Sequence, residues 1–184
     1  MCTGCEINER EQREPVEKKQ TEKYTREQIL EQIVCGSSSS PVLISACLLG
    51  VSCKYNGGDN RMEHLEELME HCQMIPVCPE QLGGLATPRC PAEICGARVI
   101  AKDGTDVTAQ YEKGAREALK LAQMFGCRCA ILKARSPSCG SGEVYDGTFS
   151  KTLVAGDGRT AGLLKENGIT VFSELEVENF YCGE

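Results

Sequence analysis

At 184 residues the chain has room for one ordinary domain with a real core, and too little length for two comfortable ones. It carries 20 Lys+Arg against 27 Asp+Glu, a formal net charge of -7, which disfavours broad electrostatic adhesion to DNA, RNA or an anionic membrane. No window approaches a membrane span and the N-terminus lacks a signal-peptide pattern, so a cytoplasmic protein is expected. The thirteen cysteines are an odd number in a chain with an ordinary core, which points to thiols, metal or sulfur chemistry rather than a disulfide framework.

Residues 6–23 hold eleven charges and two aliphatic side chains, too little apolar surface to offset the entropy of ordering, so residues 1–23 read as a mobile charged arm. The "MCTGC" pair of Cys2 and Cys5 within it is a single CxxC, weak evidence for a metal or redox role. Residues 24–40 read as a short helix, with Thr25 as N-cap and Ile29, Leu30 and Ile33 at helical spacing, followed by the "SSSSP" linker. A single α/β domain is expected from residue 41 to 184.

Within that domain apolar runs alternate with helical patterns, the signature of a mainly parallel open sheet with helices on both faces, a Rossmann-like architecture. "PVLISACLLG" predicts a first strand from Val42 to about Cys47, and "NRMEHLEELMEHCQ" the crossover helix. "MIPVCPE" predicts a second strand ending at Cys78. The segment after "GTDVT" is a helix with Asp106 or Thr108 serving its first N–H groups, closed by Gly126. "CRCAILKA" and "TLVAG" read as the third and fourth strands, "RTAGLLKENG" as a helix and "ITVFS" as the last strand. "EVYDGTF" suggests a lid hairpin turning at Asp146-Gly147.

Three predicted strand ends carry cysteine: Cys47, Cys78 and Cys139, spaced 31 and 61 residues apart. In open parallel sheets ligands gather beyond the carboxyl ends of the strands, so these thiols can share one crevice. A structural zinc site normally closes its shell with four ligands, often in CxxC pairs, and none of the three belongs to such a pair. An iron-sulfur cluster tolerates wide spacing, and three cysteines leave one iron of a 4Fe-4S cluster without a protein ligand. Packing as small buried hydrophobes is the bland alternative. Glu80 follows Cys78 by two residues, and as a bland alternative it caps the turn after Pro79.

The blocks "ISACLLGVSCKYNGG", "VCPEQLGGLATPRCPAEI", "GTDVT" and "ILKARSPSCGSGEVYDGTFS" resemble the signature blocks of a family of small bacterial proteins, catalogued as a domain of unknown function, that includes thiouracil desulfurases. Four ordered blocks across roughly residues 41–173 are far more specific than one motif. The resemblance implies a Rossmann-like body and a 4Fe-4S cluster on three cysteines that match Cys47, Cys78 and Cys139, with one open iron. It carries over Glu80 as general base and a serine beside the third cysteine, Ser136 or Ser138, as catalytic or substrate-binding hydroxyl. Lys54, Asn56 and Cys90 depart from the family's usual Arg, Asp and Pro.

The activity so implied is non-redox desulfuration of a small thiolated pyrimidine, thiouracil or a thiouridine nucleotide. Lys133 and Arg135, alternating at the strand's end, are expected to meet an anionic part of the substrate, with a salt bridge as the bland alternative. Backbone N–H groups of the Gly140–Gly142 turn are candidate oxyanion donors, and Gly83 and Gly84 are expected to let backbone approach a ligand. Cys53 is a spare ligand or sulfur acceptor, and Cys72, Cys127 and Cys129 read as packing residues. Rival readings are a desulfurase acting on thiolated tRNA and a non-catalytic metal-binding sensor. A monomer or homodimer is expected.

Overall fold

The computed structural model describes residues 25–35 and 41–182. The charged arm, the Cys2–Cys5 pair and the serine-rich linker lie outside them. In chain order the elements are α1 (Arg26–Cys35), β1 (Pro41–Ser45), a 3-10 turn (Ala46–Leu49), α2 (Leu65–His71), β2 (Gln73–Val77), α3 (Pro79–Leu82), β3 (Ala92–Cys95), β4 (Arg98–Ala101), α4 (Thr108–Phe125), β5 (Cys129–Leu132), β6 (Glu143–Tyr145), β7 (Leu153–Ala155), α5 (Arg159–Glu166), β8 (Thr170–Ser173) and α6 (Glu174–Cys182).

Four short strands form a parallel sheet in the order β2-β1-β5-β8. The inner strands "PVLIS" and "CAIL" are almost continuously apolar and buried, as strands covered on both faces must be. Alternation along β1 divides the core. Val42 and Ile44 pack with Ile33 and Val34 of α1, Leu65 and Leu68 of α2, and Val177 of α6. Leu43 faces the other layer, with Ala122 of α4 and Ala161 and Leu164 of α5. The fold is therefore the expected α/β sheet with helices on both faces.

Register brings the carboxyl ends of three strands level, with Ile44 opposite both Pro76 and Ile131. Since the chain leaves β1 toward β2 on one side and β5 lies on the other, the strand order reverses here. Loops on the two sides diverge at such a point and leave a crevice.

Two expectations change. "TLVAG" does not join the parallel sheet: β7 pairs antiparallel with β6, because Leu153 to Ala155 are mostly exposed and lack the two-sided burial of a central strand. Its hairpin turns through the loop 146–152, not tightly at Asp146-Gly147. The antiparallel pair β3–β4 was also not expected, although the two residues between Cys95 and Arg98, with Gly96 at φ 59°, are a hairpin signal. Helix α6 follows a capping box in which Glu176 accepts the Ser173 N–H at 2.8 Å and Ser173 Oγ accepts the Glu176 N–H at 3.3 Å.

Candidate active site

A cavity of ≈ 490 Å³ opens at the carboxyl ends of the strands, and Cys47, Cys53, Cys78, Glu80, Ser136 and Cys139 all line it. Each cysteine arrives by a different local device. Cys47 lies in the 3-10 turn that follows β1, where Gly50, at φ 88°, returns its N–H to the Cys47 carbonyl at 3.2 Å. Cys78 leaves β2 in extended conformation as N-cap of α3, which begins on Pro79, and proline suits that first helical position. Cys139 is held by Ser136, whose Oγ accepts the N–H groups of Ser138 and Cys139, each at 3.1 Å.

The thiols sense one another. Burial pushes the Cys139 thiol well up, and charge at Glu80, Cys47 and Cys78 adds to the shift, while a hydrogen bond from Ser45 works against it. Cys47 is raised by burial and by Cys78, with Asn60 hydrogen-bonding in opposition. Cys53 is pushed up to about 12 by burial and then by Cys78 and Cys47. Such thiols become thiolate ligands where a bound cation supplies compensating charge. Among the described residues no three Cys, His, Asp or Glu converge as a single metal ion requires; the cysteines stand around the cavity as separate soft donors.

Glu80 stands half-buried beside these thiols, with 14% of its side chain exposed, and its Oε2 accepts from Arg89 Nε at 2.5 Å. Tyr111 lines the cavity beside Glu80, and burial, followed by the nearby carboxylate, raises the pKa of its hydroxyl. Neither partner was legible in the sequence. Arg89 is one basic residue in a loop, and Tyr111 reads as a member of the apolar stripe of α4, which it also is: its ring packs with Val99 and Val107.

The other predicted site residues separate. Ser136 lines the cavity, but the Ser138 hydroxyl is fully buried and shared with Thr160 Oγ1 at 2.9 Å, so it points into the protein. Lys133 lines the cavity with its Nζ paired to the buried Glu174. Arg135 lies at the mouth in left-handed conformation, φ 62°, with Glu143 3.9 Å away. The Gly140 and Gly142 N–H groups are committed to Ser136 O and Asp157 Oδ1, both at 2.8 Å, which removes them as oxyanion donors. Gly83 approaches Gln110 of α4 rather than a ligand. Cys72, Cys127 and Cys129 pack in the core.

The mouth carries Lys54, Lys102 and Lys151, and Tyr55, Tyr145 and Phe149 contribute aromatic walls. Phe149 is held over the cavity at φ 59° while its N–H donates to Glu93 Oε2 at 2.9 Å. No spacing in the sequence brings residues from three separate loops and the end of β6 to one rim.

The chain is 42% identical over 148 residues to the uncharacterised protein YbbK of Bacillus subtilis (strain 168), a match covering 75% of this chain and 98% of YbbK. Among solved structures it resembles TudS, a [4Fe-4S]-dependent thiouracil desulfidase, with a TM-score of 0.71 and 41% identity, covering 78% of this chain and 97% of that one. The 2-thiouracil desulfurase family model matches residues 42–176. Fold and sequence thus agree, and the chain belongs to the 2-thiouracil desulfurase family of enzymes.

Proposed function

We propose that this protein hydrolyses the C=S bond of small thiolated pyrimidines, exchanging ring sulfur for water oxygen and releasing sulfide without net redox change, with a 4Fe-4S cluster held by Cys47, Cys78 and Cys139. The observation that carries this reading is the approach of three thiols from three strand ends to one cavity that also holds a half-buried carboxylate. The thiol-rich donor set suits an iron-sulfur cluster, and the [4Fe-4S]-dependent neighbour supports the same cofactor. When bound, the cluster supplies an iron with an open position, a Lewis acid for a thiocarbonyl sulfur.

The protein's own residues do the rest. Glu80 takes a proton from the water that attacks the ring carbon and returns it to the departing sulfur. Ser136 Oγ receives two backbone N–H groups, so both of its acceptor positions are used and its single proton is the part left to donate to the substrate. Tyr55, Tyr145 and Phe149 offer apolar faces to a planar ring. Lys54, Lys102, Lys151 and Arg135 give the mouth positive character in a protein of net charge -7, which supports a phosphate-bearing thiouridine nucleotide over a neutral base. A confined cavity and that net charge support a small molecule over folded RNA. Nine free cysteines among the described side chains support a reducing, cytoplasmic setting.

The test is anaerobic reconstitution, iron and sulfide counts, and turnover of 2-thiouracil, 4-thiouracil and 4-thiouridine monophosphate. A chain that binds zinc without sulfide, or an iron-sulfur protein inert toward all three, ends the proposal. Replacement of Glu80 by Ala is expected to lower kcat by about 10²–10⁴-fold, the usual contribution of a general base.

A further inference from the structure

Glu80 is held by Arg89 and shares the cavity wall with Tyr111. Arg89 donates to it through Nε at 2.5 Å, and the two side chains are only 9% and 14% exposed. The rest of the guanidinium is committed elsewhere. Nη1 donates to Thr87 Oγ1 at 3.0 Å and Ala86 O at 3.2 Å, and Nη2 donates to Cys53 O at 3.1 Å. The Arg89 backbone N–H is bonded to Tyr55 O at 2.7 Å.

A guanidinium tied to this many partners is not available to follow a substrate. It forms a strut between the carboxylate and the loop that carries Cys53 and Tyr55. Tyr111 also lines the cavity, 2% exposed and fixed in the core. Its place beside Glu80 at the cavity depends on the seating of α3 on α4, where Gly83 and Gly114 remove the β-carbons that would collide with Gln110 O and Pro79 O.

Helix α3 is a single turn, so the backbone alone does not choose among the rotamers of the long Glu80 side chain. We propose that Arg89 and Tyr111 are positioning residues that together aim the Glu80 carboxylate at the attacking water. This inference rests on the reading of Glu80 as general base and adds what holds that base in place. A base displaced by about 1 Å forfeits rate on the order of a hundredfold. Lysine would keep the charge of Arg89, yet as a single point donor it cannot hold Glu80, Thr87, Ala86 and Cys53 together.

The experiment uses the full chain, reconstituted anaerobically, with iron and sulfide counted for every variant and 2-thiouracil as substrate. Arg89→Lys and Tyr111→Phe are each made alone and with Glu80→Gln. Expected are falls in kcat of about a hundredfold for Arg89→Lys and about tenfold for Tyr111→Phe, with KM within about threefold of the parent. In the Glu80→Gln background both losses shrink below about twofold, since the groups act through that carboxylate.

The proposal is overturned if both single variants keep kcat within twofold of the parent, if KM rises while kcat holds, or if the losses persist undiminished beside Glu80→Gln. Should Arg89→Lys lower the iron count, Tyr111→Phe, which removes one oxygen, decides alone. If Glu80→Gln leaves no measurable turnover, the kcat-against-KM split of the single variants decides. Parent-like turnover by Glu80→Gln with Arg89 and Tyr111 intact would instead remove the general-base reading itself, a separate result from a separate variant.

Discussion

Gly114 of α4 lies so close to the Pro79 carbonyl that a β-carbon on it would stand 1.9 Å from the oxygen. This contact sets the height of α3, and with it Cys78 and Glu80, above the sheet. In Gly114→Ala the helix propensity of alanine contributes about 1 kcal/mol, whereas a backbone collision of this kind costs about 1–3 kcal/mol or more. A net loss of roughly 1–2 kcal/mol is expected, measured as a lower denaturant midpoint of the reconstituted protein. A raised midpoint would show that α3 and α4 separate freely.

The four cavity thiols are expected to differ in their effect on the cofactor. Cys47→Ser, Cys78→Ser and Cys139→Ser should each lower iron and sulfide per chain after anaerobic reconstitution, because each removes a strand-end donor of the proposed trio. Cys53→Ser, which alters a loop thiol between them in the chain, should retain the parent's iron count. Full loading of any of the first three, or iron loss in Cys53→Ser, rejects this ligand set.

Neutralising the mouth separates nucleotide from base. Exposed charges contribute roughly 0.2–1 kcal/mol each, so Lys102→Gln combined with Lys151→Gln should raise KM for 4-thiouridine monophosphate by about two- to thirtyfold and leave KM for 2-thiouracil nearly unchanged. Added salt should narrow the difference. An equal rise for both substrates means that the lysines do not meet a phosphate.

Acidification should loosen α1 from α6. Burial works to raise the Glu176 pKa, but hydrogen bonds from Arg26 and Ser173 outweigh it and hold it below its ordinary 4.5. With the folded pKa depressed, the contribution is fully present above pH 4.5 and is lost as pH falls through the lower folded value. Arg26 also stacks on Phe172, 4.3 Å from the ring centroid. The unfolding midpoint of Glu176→Gln should lie below the parent's at neutral pH and converge with it on acidification, while α1 amides exchange faster. A midpoint gap independent of pH argues against the ion pair.

What the order of residues determined by itself is local and periodic. Continuous apolar runs announced β1 and β5, the stripe of α4 announced its buried face, and cysteines placed just past apolar runs announced a shared crevice, since strand polarity and the convergence of loops follow from covalent chain direction. The likeness of four ordered blocks supplied the family. Tertiary structure alone decided which neighbours those residues keep. Glu80 comes beside Tyr111 because two glycines let one helix rest on another, Ser138 turns inward because Thr160 lies 22 positions away and yet beside it, and β7 leaves the parallel sheet because its faces are not covered. Such outcomes depend on packing at a distance, where burial and hydrogen-bond satisfaction are shared among segments and no window of sequence contains both partners.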